Sequence, residues 1–202
     1  VALTSLVILH HAAITYGASG SWYVREPGAD DITVYALSTF AGVNQSWFMG
    51  AFFLIAALLM PGSVERKGAW RYLADRLLRL GVPLLVYGFL IGPTVVYLVQ
   101  KPAEPLAGVL FQRWRMLDFD WGPMWFVAAL LYFSIAYLIW RVFAGPPTRI
   151  GRPLPSDVRI LRLAIAVGLA SFVLRLGWPM GASVFGLQLG FFSSYVAMFI
   201  IG

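Results

Sequence analysis

Two adjacent histidines, His10 and His11, stand inside the apolar stretch LVILHHAAITYG and are the only histidines of the chain. Imidazole is the side chain whose ordinary pKa best suits proton transfer near neutral pH. On a helical wheel His11 shares a face with Thr4 and Thr15, and we expect this polar stripe to turn toward protein, because unsatisfied polar groups in hydrocarbon cost free energy. The wheel therefore favours His11 as the inward histidine, placed for proton transfer, and leaves His10 on the apolar face as a supporting residue. The alternative for His11 is a structural hydrogen bond to a neighbouring helix.

Other chemistries that could use these residues find little support in the sequence. The two histidines point apart on a helix, so they cannot easily grip one metal ion together, and we expect no metal site. The chain contains no cysteine, which excludes thiolate catalysis, disulfides and cysteine-ligated metals. We also expect no permanently bound cofactor.

A second cluster of interest is the stretch WRYLADRLLRLGVP, read as a helix. Arg71, Asp75 and Arg79 are four residues apart, so Asp75 is expected to pair with one of these arginines. Arg76 is left without a partner on the helix. Arg76 and Arg79 present two guanidinium groups, and two such forks can hold a phosphate or pyrophosphate by bidentate hydrogen bonds. The alternative is that these basic residues only anchor the loop to anionic lipid and set topology.

The composition indicates that the elements carrying these residues lie in a membrane. Of the 202 residues, 60% are hydrophobic and 12% are charged, whereas a soluble domain has roughly 45–50% apolar residues. The charged residues gather between long uncharged runs, which confines charge to water. Basic loops on one membrane face explain the net charge of +6, and no basic stretch has the interleaved aromatics of a nucleic-acid-binding domain. We expect a lipid bilayer, and no nucleic acid, as a partner.

Six apolar segments are candidates for transmembrane helices, since a helix needs about 20 apolar residues to cross the hydrocarbon. Their predicted ranges are 1–17, 37–60, 80–99, 122–141, 160–177 and 183–202. The predicted fold class is an all-α, polytopic transmembrane helical bundle. A kink is expected in the third span at Pro83 and Pro93. Asn44 and Gln45, inside the second span, are expected to hydrogen-bond to neighbouring helices.

The distribution of Lys and Arg predicts the orientation. The loops after the second and fourth spans carry ten of these residues, and the opposite side carries five. By the positive-inside rule the side with ten is cytoplasmic, which places the N-terminus in the cytoplasm. The ten are Arg66, Lys67, Arg71, Arg76, Arg79, Arg141, Arg149, Arg152, Arg159 and Arg162.

Four blocks of the sequence together resemble the acyltransferase 3 family of membrane acyltransferases. They are LVILHHAAITYGASGSWYVREP, FMGAFFLIAALLMPGSVERKGAWRYLADRLLRLGVPLLVY, GPMWFVAALLYFSIAYLIW and FGLQLGFFSSYV, in the family's order. Members of the family have about ten helices. The resemblance implies that residues 1–202 are a single transmembrane acyltransferase domain, cut at both ends, with six of those helices.

The resemblance also implies an activity and a set of site residues. The family carries an acyl group, often acetyl or succinyl, from acyl-coenzyme A (acyl-CoA) to a hydroxyl of a glycan or similar acceptor. Its catalytic histidine falls on His11 if an arginine precedes Val1, and its paired arginines fall on Arg76 and Arg79. His11 would deprotonate the acceptor or take the acyl group transiently, and the sequence does not separate these routes. Trp125 is a possible supporting residue at a helix interface or in an aromatic belt.

One departure and two rival functions qualify this interpretation. Relatives with a WFVE-like motif carry an acidic residue where this sequence has Ala128, so any function of that carboxylate is in doubt. The rivals are a polytopic transporter, although neither inverted repeats nor broken helices are evident, and a non-catalytic membrane partner. The implied location is the bacterial inner membrane.

Overall fold

The computed structural model describes residues 1–117, 121–145, 155–179, 182–184 and 186–202 as helices joined by short irregular segments. In these ranges regular structure is confined to helices, which confirms the all-α prediction. The helices are α1 (Ala2–Thr15), α2 (Asp31–Lys67), α3 (Ala69–Gln100), α4 (Leu106–Met116), α5 (Trp125–Ala144), α6 (Asp157–Gly177) and α7 (Phe192–Ile201).

The lengths of the helices agree with a membrane-spanning bundle. The helical segments Asp31–Lys67, Ala69–Gln100, Gly122–Ala144 and Asp157–Gly177 are long and apolar enough to cross a membrane, while Ala2–Thr15 and Leu189–Ile201 are apolar but shorter. All six predicted spans therefore coincide with apolar helices. The sequence did not predict α4, because its 11 residues include two arginines and are too few for a span.

The predicted range 37–60 underestimates α2, which continues through Pro61. A proline inside a helix removes one backbone hydrogen bond and usually marks a break. Here Met60 and Val64, on either side of the proline, are buried around Tyr72 of α3. This packing holds the helix together past the proline, as tertiary contacts often override local preference.

Two π-helical turns interrupt α3, one at Leu77–Gly81 and one at Tyr87–Ile91. Each ends shortly before a proline, Pro83 or Pro93, where the sequence predicted a kink. Proline cannot donate to the carbonyl four residues earlier and its ring crowds that carbonyl, so a wider turn relieves the crowding. The irregularity of α3 is thus encoded locally by its prolines.

The core of the bundle is aromatic and centres on α2. Phe53 is fully buried, and the rings of Phe126, Phe133 and Tyr195 surround it with centroids 4.9 to 5.1 Å away. These rings come from α5 and α7, so one side chain joins three helices. The expected hydrogen bonds of the second span are confirmed, although Asn44 reaches a backbone oxygen, the Leu6 carbonyl of α1 at 3.4 Å. Gln45 donates to the Tyr195 hydroxyl at 3.3 Å.

Candidate active site

Both histidines lie inside the bundle, and His10 is the more buried, at 8% exposure. The apolar face of α1 that carries His10 packs against α2, and the His10 ring lies 5.2 Å from that of Phe48. Thr4, on the polar stripe, is exposed. His11 and Thr15, on the same stripe, are partly buried, so the stripe faces protein only in part, because the apolar contact with α2 decides the rotation of α1.

His11 is enclosed by the loop that follows α1. Its ring is stacked on the indole of Trp22, with centroids 3.9 Å apart and planes 23° apart. The His10 ring meets His11 edge-on at 5.6 Å. We call the three rings of His10, His11 and Trp22 the histidine clamp. Trp22 could not be predicted as a neighbour of His11, since this contact joins a helix to an irregular loop without periodicity.

The Nδ1 atoms of His10 and His11 are both buried, and neither has a hydrogen-bond partner among the described residues. A buried polar atom without a partner is uncommon in a folded protein and carries a free-energy cost. Structural histidines are normally satisfied by such a bond. The structural alternative considered for His11, a hydrogen bond from its ring to a neighbouring helix, is therefore absent within the described part of the chain.

The loop over His11 is itself tied down by backbone contacts. The amide of Glu26 donates to the Thr15 carbonyl at 2.8 Å, and the Arg25 guanidinium donates to the Ala18 carbonyl at 2.8 Å. At the end of the loop the Asp30 carboxylate accepts the Thr33 amide at 2.7 Å and so caps α2. This bond holds the pKa of Asp30 below its usual value, because it stabilises the charged form.

Trp125 stands at the interface of α5 and α7, where its ring is stacked on Tyr195 with centroids 5.6 Å apart. Nearby, Ala128 is fully buried and packs in one cluster with Leu84 and Trp121. Position 128 is thus filled by a methyl group in an apolar setting. A charged side chain would need a partner here.

The second predicted cluster comes together in a cavity of about 130 Å³ at the end of the bundle where α2 meets α3. We call it the basic cavity, and it contains both predicted arginines. Its lining residues are Ser63, Lys67, Tyr72, Asp75, Arg76 and Arg79. Ser63 could not be associated with this cluster from the sequence, because the turn between α2 and α3 brings it in, whereas Tyr72 lies one helical turn before Arg76 on α3.

The ion pair in the basic cavity differs from the predicted one. Asp75 pairs with Lys67, not with Arg71 or Arg79. The chain turns sharply at Gly68, whose φ is +77°, and this brings the end of α2 beside the first turns of α3. The π turn that begins just after Asp75 also changes the register in which Arg79 follows it.

The sequence predicted that Arg76 has no partner on its helix, and this prediction is wrong. Its Nε donates to the Tyr72 hydroxyl at 3.0 Å, and its guanidinium lies 5.1 Å from the centre of that ring. Tyr72 itself is 2% exposed. Within the described residues Arg79 makes no hydrogen bond or ion pair, and it interacts with Asp75 only through longer-range electrostatics. The cavity therefore offers one guanidinium that is held in place and one whose donors are free for a ligand.

The histidine clamp and the basic cavity lie far apart along α2. Phe48 contacts His10, and Ser63, which lines the basic cavity, follows 15 residues later. At 1.5 Å per residue this is roughly 22 Å. Between these levels Phe53 and Met60 are almost completely buried, so side chains fill this face of α2.

The described residues offer no group of three His, Asp or Glu side chains that could hold a metal ion. Comparison with protein families gives a match to the model described as an acyltransferase domain, over residues 2–202. Comparison with curated proteins and with solved structures gives no significant match.

Proposed function

The chain belongs to the acyltransferase 3 family, and we propose that it moves an acyl group from acyl-CoA to a hydroxyl of a glycan or other extracytoplasmic acceptor. The coarse activity, acyl transfer by a membrane protein, follows from the family. The donor, the acceptor and the residues are our proposal. The observation that carries it is the partly buried His11 ring, whose Nδ1 is buried and has no partner among the described residues.

In the proposed reaction the His11 imidazole accepts the proton of the acceptor hydroxyl as the oxygen attacks the thioester carbonyl. The carbon–sulfur bond breaks and coenzyme A leaves as a thiol after taking up a proton. General-base assistance of this kind typically contributes about 10²–10⁴-fold to a rate. Transient acylation of the imidazole is the other route, and the arrangement of the rings is compatible with both. In either route His10 supports the ring of His11 by its edge-on contact.

For the donor we assign the basic cavity. Three cationic side chains, Lys67, Arg76 and Arg79, line it with a single carboxylate, Asp75. The excess of positive charge and the free donors of Arg79 suit the phosphates of coenzyme A, since guanidinium groups bind phosphate through paired hydrogen bonds.

The distance between the two sites constrains this mechanism. The separation of roughly 22 Å along α2 is a large part of the ~30 Å hydrocarbon thickness. With the phosphates at the basic cavity, the thioester reaches His11 only if the long pantetheine arm runs through the membrane, away from the packed face of α2. We propose that the basic end faces the cytoplasm of a bacterial inner membrane, since acyl-CoA is a cytoplasmic metabolite and the positive-inside rule favours this orientation.

The test compares His11→Ala with the wild type in the full-length protein. Acylation of cell-surface and periplasmic glycans is followed by mass spectrometry, and coenzyme A release is measured in membranes. We expect turnover to fall roughly 10²–10⁴-fold. Ile8→Ala is the matched control, because Ile8 lies on the same helix and is 65% exposed. Wild-type acylation by His11→Ala would refute the proposed role.

A further inference from the structure

The orientation of the His11 ring is set by stacking. In many catalytic sites a hydrogen bond to one nitrogen of a histidine fixes the orientation of the imidazole ring and the protonation of its other nitrogen. The described residues supply no such bond to Nδ1 of His11. The contacts that remain are the face of Trp22 at 3.9 Å and the edge of His10 at 5.6 Å.

Trp22 is in turn anchored to α3. Its ring packs against that of Tyr23, with centroids 5.3 Å apart, and the Tyr23 hydroxyl shares a hydrogen bond of 2.7 Å with the hydroxyl of Tyr87. Tyr87 opens the second π turn of α3. A loop residue that covers His11 is thus connected to α3 through Tyr23.

Gly122 lets the two tyrosine hydroxyls meet. A Cβ atom at this position would lie 2.2 Å from the Tyr23 hydroxyl oxygen and 3.0 Å from that of Tyr87. Gly122 also has a φ of +45°, which glycine adopts without strain. Both the conformation and the space at this position are therefore suited to glycine alone.

We propose that Trp22 is a positioning residue for His11, and that its indole, held by the Tyr23–Tyr87 hydroxyl bond over Gly122, fixes the imidazole plane for acyl transfer. This inference rests on the proposed function, since it concerns the same histidine. It adds a residue that takes no part in the bond changes and lies outside the helices, in the loop after α1. Its effect passes through the ring it holds, and misplacement of a reacting group by about 1 Å can cost roughly a hundredfold in rate.

The experiment has one readout that does not depend on activity. Purified full-length protein in nanodiscs is treated with diethyl pyrocarbonate, and the rate at which His11 is modified is followed by fragment-ion mass spectrometry, which separates it from His10. The variants are Trp22→Ala, Trp22→Phe and Tyr87→Phe. Trp70→Ala is the control, because Trp70 is 81% exposed at the other end of the bundle.

We expect faster modification of His11 in Trp22→Ala and, to a smaller degree, in Tyr87→Phe, with Trp22→Phe and Trp70→Ala close to wild type. Turnover of acetyl-CoA in membranes should show kcat lowered at least about tenfold in Trp22→Ala, with KM for acetyl-CoA little changed and kcat largely restored in Trp22→Phe. A general loss of structure would not be relieved by the phenyl ring in this way.

Tyr87→Phe removes a single oxygen atom, so it tests the anchor even if Trp22→Ala fails to fold. Unchanged modification of His11 in Tyr87→Phe and in any folded Trp22→Ala protein would overturn the inference. Activity retained by His11→Ala would instead overturn the proposed function, and the modification rates would still report whether Trp22 holds the ring.

Discussion

At the scale of single residues, Arg76 and Arg79 are three positions apart but are held differently. The Tyr72 hydroxyl and ring fix the guanidinium of Arg76, whereas Arg79 has no hydrogen bond or ion pair within the described part of the chain. A bound phosphate would therefore contact the guanidinium of Arg76, which is already held in place, and that of Arg79, which must become ordered on binding. Ordering a long side chain has an entropic cost of up to about 2 kcal/mol.

This difference predicts how substitutions affect donor binding. Arg76→Ala and Arg79→Ala should each weaken acetyl-CoA affinity by roughly ten- to a hundredfold, since a hydrogen bond to a charged group contributes about 1.5–3 kcal/mol. Lysine should recover more at position 79 than at position 76, because it lacks the planar fork and the Nε donor to Tyr72. Equilibrium binding in nanodiscs measures this, with Arg71→Ala, exposed and outside the basic cavity, as control.

Equal affinity in wild type and in the double variant Arg76→Ala/Arg79→Ala would remove the phosphate role from the basic cavity. A loss of similar size in Arg71→Ala would show instead that the cluster acts only through its overall charge. The lipid-anchoring alternative predicts that second result, so the control separates the two interpretations.

At the scale of elements, most of the architecture could be predicted from hydrophobic runs, and the errors have identifiable causes. The six apolar segments are helical because the bilayer leaves backbone groups no other way to be satisfied. The end of α2 and the ion pair of Asp75 could not be predicted, since they depend on packing around Tyr72 and on the turn at Gly68. The contact of Trp22 with His11 is also purely tertiary.

A hydrogen bond from Trp114 of α4 reaches a backbone carbonyl of α3 close to Pro93. Pro93 has no backbone N–H to donate to the Phe89 carbonyl four residues earlier, and the indole Nε1 of Trp114 donates to that carbonyl at 2.8 Å. The same bond pins α4 to α3. We expect Trp114→Phe to reduce the free energy of unfolding by about 1 kcal/mol.

In a Pro93→Ala background the backbone amide of residue 93 becomes available to the Phe89 carbonyl. Trp114→Phe should then reduce the free energy of unfolding by less than it does in the wild type. Reversible unfolding in mixed micelles gives the four free energies of the double-mutant cycle. Trp140→Phe, another exposed tryptophan, controls for the loss of ring area. Strict additivity of the two substitutions would contradict the assigned partnership of Trp114 and Pro93.

At the scale of the whole molecule, Arg141 lies at the same end of the bundle as the basic cavity. Tyr137 and Leu138, near the end of α5, pack on the cluster formed by Met60, Val64 and Tyr72. The end of α5, with Arg141, therefore lies beside the turn between α2 and α3. Arg149 and Arg152, which the sequence assigned to the same side, lie outside the described residues. The histidine clamp lies near the middle of α2, where His10 contacts Phe48 and Trp22 packs on the cluster that includes Ala41.

This polarity predicts which end of the bundle is reached from each side of the membrane. The 202 residues contain no cysteine, so single substitutions in this region can be labelled without background from it. Ala69→Cys, exposed at the start of α3, should react with a membrane-impermeant maleimide only after the cells are permeabilised. Glu26→Cys, exposed in the loop over His11, should react in spheroplasts with intact inner membranes. Labelling of Ala69→Cys but not of Glu26→Cys in intact cells would place the basic cavity on the outer side of the membrane, where acyl-CoA is absent. That result would exclude Arg76 and Arg79 from binding the donor.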